Sequence, residues 1–97
     1  GGGVVDNIKR ILPKHLCAKI ELNKIKPNSI FKWLYAQGVD ENEMIKTFNC
    51  GVGFCILIKS KNFNKIKKYF TKKFQPYVIG KIVYGKKNID LNGKIEW

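Results

Sequence analysis

Two segments of this chain have residue types and spacings suited to holding an anion or orienting a polar substrate. The first is Gly1-Gly2-Gly3-Val4-Val5-Asp6-Asn7-Ile8-Lys9-Arg10. Glycines let an anion approach backbone N–H groups closely, a helix starting there adds partial positive charge, and Arg10 offers a bidentate fork for phosphate or carboxylate. Arg10 also lies four residues after Asp6, with which it could pair instead. The second is Thr47-Phe48-Asn49-Cys50-Gly51-Val52-Gly53, a polar, glycine-flanked loop running into an apolar stretch. A loop that meets a rigid strand presents its side chains at fixed geometry, which makes Thr47 and Asn49 candidates for hydrogen bonding to a substrate. The alternative reading is that Asn49 caps the preceding helix, while Gly51 and Gly53 let another backbone come close.

The other chemistry-bearing residues do not form a recognisable set. The seven carboxylates are scattered, and neither an HExxH nor a P-loop pattern occurs. No catalytic residue and no metal ligand is assigned. Cys17, Cys50 and Cys55 are odd in number and lack CxxC spacing, so they are read as reduced core thiols of a cytoplasmic protein. The single histidine, His15, sits in a Pro-Lys-His loop with no orienting acid in view.

Several elements must position the two loops. Val5 to Leu12 reads as a helical turn with Ile8, Ile11 and Leu12 inward, stopped by Pro13, and Leu16 to Leu22 alternates as a strand. Asn28 and Ser29 cap a helix carrying Ile30, Phe31, Trp33, Leu34 and Tyr35, which Gly38 ends. Asp40 caps a second short helix, with Glu43 as capping-box partner and Met44 and Ile45 as its apolar contacts. Val52 to Ile58 reads as a central strand buried on both faces, and residues from Ser60 or Asn62 to about Phe74 as a lysine-faced helix. Tyr77 to Tyr84 reads as a further strand, and Ile89 to Trp97 as a terminal hairpin around Asn92-Gly93. The expected fold is therefore α/β (α+β), a mixed sheet of about four strands with helices packed on it.

Length and composition fit one domain. A 97-residue chain buries somewhat over about 60% of its unfolded surface, and 44% hydrophobic residues supply a core. The longest apolar run is far shorter than the roughly 20 residues of a membrane-crossing helix. The net charge of +12 raises the alternative of a basic nucleic-acid-binding module. Yet the cations are 18 lysines and one arginine beside 13 isoleucines and 9 asparagines, the mark of an AT-rich coding sequence. Specific phosphate and base recognition favours arginine, so the lysines are read as a solvated surface, with no specific nucleic-acid partner.

Taken in order, GGGVVDNIKRILP, PNSIFKWL, EMIKTFNCGVGF and VIGKIVYG resemble the C-terminal part of phosphoribosylformylglycinamidine cyclo-ligase, the aminoimidazole ribonucleotide synthetase family. Gly1, Gly2, Gly3, Asn7, Arg10, Leu12 and Pro13 match its first motif, and Pro27 and Phe31 its second. Glu43, Met44, Thr47, Phe48, Asn49, Gly51 and Gly53 match the third, and Ile79 and Gly80 the last. The chain departs from the pattern at Lys9, Cys50 and Phe54, where the family has Pro, Met and Met. The resemblance implies an ATP-dependent ligase of purine biosynthesis that activates the formyl-amide oxygen of formylglycinamidine ribonucleotide and closes the imidazole ring. It implies that ATP and Mg2+ are handled by an N-terminal domain, that the full-length enzyme is a homodimer, and that this chain lines the substrate cleft. On that reading residues 1–97 are a single C-terminal domain cut on its N-terminal side, inactive alone and binding no ATP or Mg2+ itself. Gly1, Gly2, Gly3 and Arg10 would bind the substrate phosphate, Asn7, Thr47 and Asn49 would orient the substrate, and Gly51 and Gly53 would shape the loop.

Overall fold

Val4, Ile8 and Leu12 recur every four residues, the spacing of one helix face, and the computed structural model buries all three along α1 (Gly3–Ile11). The structure describes residues 2–97, so Gly1 lies outside the described residues. After the Pro13 break the chain forms β1 (Leu16–Glu21), where Ala18 and Ile20 are buried in the core and Cys17 and Lys19 alternate onto the other face. α2 (Ser29–Ala36) follows a short helical turn at Leu22–Lys24 and leads through Gly38 into α3 (Glu41–Thr47). Asp40 caps α3 by accepting from the Asn42 N–H at 2.7 Å; Asn28, at the start of α2, makes no side-chain cap bond.

β1 is the central strand of a three-stranded mixed sheet. β2 (Gly80–Tyr84) pairs antiparallel with it, Leu16 opposite Tyr84, and β3 (Asn88–Asn92) pairs parallel on the other side, Cys17 opposite Asn88. The three-residue link between β2 and β3 crosses the start of β1, held where the Gly85 and Lys87 N–H groups donate to the His15 and Lys14 carbonyls, each at 3.0 Å. The core fills the space between this sheet and α1 and α3, with Met44 and Cys50 fully enclosed and Ile25, Ile45 and Ile95 around them. This is the expected α+β sandwich with three strands in place of four.

The missing strand is Val52 to Ile58. That run belongs to no helix or strand and has no ladder partner; Phe54, Ile56, Leu57 and Ile58 are exposed, and only Val52 and Cys55 pack partly on the core. Apolarity made the run look central, but a strand is defined by its neighbour, and both sides of β1 are already taken by β2 and β3. The expected helix to Phe74 is also broken, into a turn at Ser60–Asn62, α4 (Phe63–Lys67) and a turn at Lys72–Phe74. Lys61, Lys65, Lys68 and Lys72 repeat at three- and four-residue spacing, where like charges oppose a continuous helix, and Asn62 supplies no side-chain cap.

Asn92-Gly93 does not turn a hairpin either. The chain continues past Gly93 onto α3, where Glu41 Oε1 accepts from the Ile95 N–H at 2.9 Å and from Trp97 Nε1 at 3.2 Å. Trp97 stacks on Tyr35 with ring centroids 4.6 Å apart and is half-buried. The Glu41 carboxylate thereby ties the last residues to the start of α3, where its charge also suits the helix dipole. Glu41→Ala is expected to destabilise the chain by about 1–3 kcal/mol, as loss of a partly buried acceptor does, and Glu41→Gln by less. Thermal melts with tryptophan emission check this; an unchanged melt for Glu41→Ala would show that the tail adds nothing.

Candidate functional site

The first motif folds onto itself at the start of α1. Gly2 precedes the helix with φ of 98° and no side chain caps the first turn. Gly3, Asn7 and Arg10 fall on one helix face, and hydrogen bonds link them in series: Asn7 Nδ2 donates to the Gly3 carbonyl at 2.6 Å, and Arg10 Nη1 donates to Asn7 Oδ1 at 3.4 Å. Arg10 reaches back along the helix, with Nη2 3.5 Å from where a Cβ on Gly2 would stand. Asp6 also borders Gly2, but no Asp6–Arg10 ion pair forms among the described residues. Arg10 is exposed.

Gly3 decides where this motif sits. It has φ of 64°, and a Cβ there would collide with the Ile45 and Lys46 carbonyls at the end of α3. Only glycine lets α1 approach α3 that closely. The contact sets the start of α1 beside the residue before Thr47, so the two motifs meet through their backbones. Their side chains do not. Thr47 and Asn49 are exposed, and Asn49 Oδ1 is turned to its own loop, accepting from the Gly51 N–H at 2.9 Å. Asn49 therefore does not cap α3; it closes an Asx turn.

That loop is tightly specified. The Val52 N–H donates to the Asn49 carbonyl at 2.9 Å, with Cys50 at φ 52° and Gly51 at φ 96° between them, the two positive values of a type I′ turn. Cys50 is held in this unfavourable conformation by complete burial, its thiol donating to the Met44 carbonyl at 3.6 Å. Gly51 lies against the Lys26–Asn28 segment, where a Cβ would meet Asn28 Oδ1 at 2.5 Å and the Lys26 carbonyl at 2.9 Å. The expected close approach is thus real at Gly51. It is not at Gly53, which has open space around it.

Sequence reasoning passed over Asn28, which is apposed to Gly51, and the Cys17–Asp90 pair on the outer face of the sheet. The Cys17 thiol donates to Asp90 Oδ2 at 3.6 Å, and Asn88 Nδ2 donates to Asp90 Oδ1 at 2.8 Å. Pairing across a parallel ladder joins residues 73 positions apart, which no local signal announces. Two open grooves, of about 490 and 510 Å3, lie by Lys26–Tyr77 and by Cys17–Asp90, and neither contains a residue of the two motifs. Among the described residues no group of three or more His, Cys, Asp or Glu could hold a metal ion, and no helix is long and apolar enough to cross a membrane.

Residues 1–90 match the family model of the AIR synthase related protein, C-terminal domain, and the chain belongs to that family.

Gly51→Ala is expected to cost about 1–3 kcal/mol through positive-φ strain and collision with Asn28, lowering the melting temperature by about 4–8 °C per kcal/mol. Gly53→Ala should stay within about 0.5 kcal/mol of the parent. Equal melts for the two variants would refute the asymmetry. The thiols give a pH prediction. Burial, then the Asp90 charge, raises Cys17 above its ordinary 9.0; burial, then Glu41, raises Cys50; and burial alone raises Cys55. Below that range all three are protonated whether the chain is folded or not. As pH climbs past 9.0 the unfolded chain loses its thiol protons first, so stability falls until the folded thiols titrate too. Asp90→Asn should move the alkylation profile of Cys17 to lower pH without restoring the ordinary value, because burial remains; peptide mass spectrometry of iodoacetamide-treated protein reads it.

Proposed function

We propose that this chain is the substrate-facing C-terminal domain of a phosphoribosylformylglycinamidine cyclo-ligase, which closes the imidazole ring of aminoimidazole ribonucleotide at the expense of ATP. One observation carries the reading: Gly3 seats the uncapped start of α1 on the Ile45 and Lys46 carbonyls, so the glycine motif and the Thr47–Gly51 loop emerge side by side. Backbone N–H groups at that helix start, the helix dipole and the Arg10 guanidinium suit a ribonucleotide phosphate. Asn7 holds Arg10 in place, and Thr47 and Asn49 extend exposed hydrogen-bonding groups from the adjoining loop. Asn49 must exchange its bond to Gly51 to do so, a neutral contact of modest net strength. Asp6 beside Gly2 weakens the attraction for an anion and so tunes affinity downwards.

Among the described residues no three carboxylates, cysteines or histidines converge, and no step through ATP or its metal is assigned to this chain. In this reading both belong to an N-terminal ATP-binding domain of the full-length, homodimeric, cytoplasmic enzyme, and the isolated chain is inactive.

The test uses full-length enzyme and formylglycinamidine ribonucleotide. Arg10→Ala is expected to lower kcat/KM by about 10- to 100-fold, the worth of one charged hydrogen bond, chiefly through KM, with an unchanged melt. Asp6→Asn should lower KM, and Asn49→Ala should depress turnover. Unaltered kinetics in the Arg10 and Asn49 variants would overturn their roles, and a folded full-length protein without ring closure would overturn the assignment.

A further inference from the structure

We propose that Asn28 is a positioning residue of the Thr47–Gly51 loop: its carboxamide takes over the Gly51 N–H when Asn49 turns towards substrate. The proposal rests on the reading that Asn49 orients the substrate, and it adds a residue to that site. Asn28 stands at the N-cap of α2, where an asparagine side chain ordinarily accepts from the N–H groups of the first turn. It does not do so here, and its side chain bonds to nothing among the described residues. The carboxamide lies instead against Gly51, whose Cβ, were one present, would stand 2.5 Å from Asn28 Oδ1 and 3.3 Å from Asn28 N. Two carboxamide oxygens therefore flank one glycine: Asn49 Oδ1 accepts from its N–H at 2.9 Å, and Asn28 Oδ1 lies beside it unbonded.

The turn itself creates the need for a second acceptor. While Asn49 closes it, the Gly51 N–H is satisfied; when the Asn49 carboxamide leaves for a substrate group, that donor loses its partner in a half-buried backbone packed on the Lys26–Asn28 segment. An unmet donor there opposes the release and so weakens binding. Two oxygens lie close enough to the Gly51 backbone to answer it: Asn28 Oδ1, and the Lys26 carbonyl, 2.9 Å from the same Cβ position. The carbonyl can approach only by moving backbone that Pro27 stiffens, whereas Asn28 is exposed and moves by rotation about its own side chain. The helix does not hold it back. The Phe31 and Lys32 N–H groups donate to the Asn28 backbone carbonyl, at 3.0 and 3.2 Å, and not to its side chain. Asn28 can therefore serve the loop without costing α2 a cap.

The first arm of the experiment needs no substrate: NMR measures protection of the Gly51 amide from hydrogen exchange in the 97-residue chain. Asn49→Ala frees the Gly51 N–H and Asn28 should take it, so protection stays within about twofold of the parent. Asn49→Ala with Asn28→Ala should lose about fivefold in protection, the worth of one neutral hydrogen bond. Asn49→Ala with Asn28→Asp, which keeps an acceptor, should retain it. Asn28→Ala alone should change neither protection nor the melt, because the closed turn does not use its side chain. The second arm is kinetic, in full-length enzyme with formylglycinamidine ribonucleotide. There Asn28→Ala should raise KM by about fivefold with kcat nearly unchanged, and should add nothing in an Asn49→Ala background. Equal protection in the single and double Asn49 variants would show that the Lys26 carbonyl or water answers Gly51, and would overturn the proposal. So would an unchanged KM, or a lowered melt, for Asn28→Ala alone. Absence of ring closure in the full-length protein would remove the cyclo-ligase reading, while the exchange arm would still decide whether Asn28 serves the loop.

Discussion

The close approach of α1 to the last turn of α3 is the contact on which the rest of this molecule depends. Gly3 allows it, and Met44 and Ile45, which follow Asp40 in the capped helix, are buried beneath it. A chain of this size has one core, and here that core is a thin layer between two helices and the face of β1 that carries Ala18 and Ile20. Dense packing makes such a layer intolerant of displacement, so the backbone of the α3 end is held as firmly as its side chains are. The polar loop that follows inherits that rigidity from Met44 through Cys50, whose burial outweighs its left-handed backbone.

The proposed function rests on the same contact. A helix start is a weak anion site when it stands alone, and a polar loop is merely a turn. Setting one against the other fixes the distance between an anion-accepting backbone and exposed amide and hydroxyl groups before any ligand arrives, which lowers the entropy lost on binding. The Asn7 bridge from the Gly3 carbonyl to Arg10 extends this order to the guanidinium. The Asn49–Gly51 bond is neutral and modest, and the charge-assisted Arg10–Asn7 bond is exposed and long at 3.4 Å, so a charged ligand can replace both.

The parts of this arrangement that could be read from the sequence are those set by local chemistry. Pro13, Gly38 and Asp40 mark α1, α2 and α3 because breaks and caps act within a few residues, and the alternation of β1 survives because both of its sides are covered. The glycine motif and the Thr47–Gly51 loop were visible as residue types, but their meeting depends on a collision that only the absence of a Cβ at Gly3 prevents, and nothing near Gly3 in sequence shows it. Val52 to Ile58 failed for the opposite reason. Its composition was right for a buried strand, but pairing is a property of two segments, and the described residues contain no second segment for it. Asn92-Gly93 misled in the same way: a hairpin signal was outweighed by parallel pairing with β1 and by the Glu41 clamp on the tail, both non-local.

Burial and charge divide the chain along the same line. Every buried side chain except Ile95 lies before Gly51, whereas the lysines without carboxylate neighbours lie after Met44. If the lysines only reflected an AT-rich coding sequence, they would be as common beside the core-forming half as beyond it, and carboxylates would be interspersed among them. They are not: residues 45–88 hold eleven lysines and no carboxylate, whereas residues 1–44 hold seven cationic residues and five carboxylates. A segment that buries little of itself, exposes a run of apolar residues and concentrates one sign of charge is stabilised by what it associates with more than by what it encloses. The mixed sheet and its helices enclose the core, and the lysine-rich stretch from residue 45 to 88 lies almost wholly outside it.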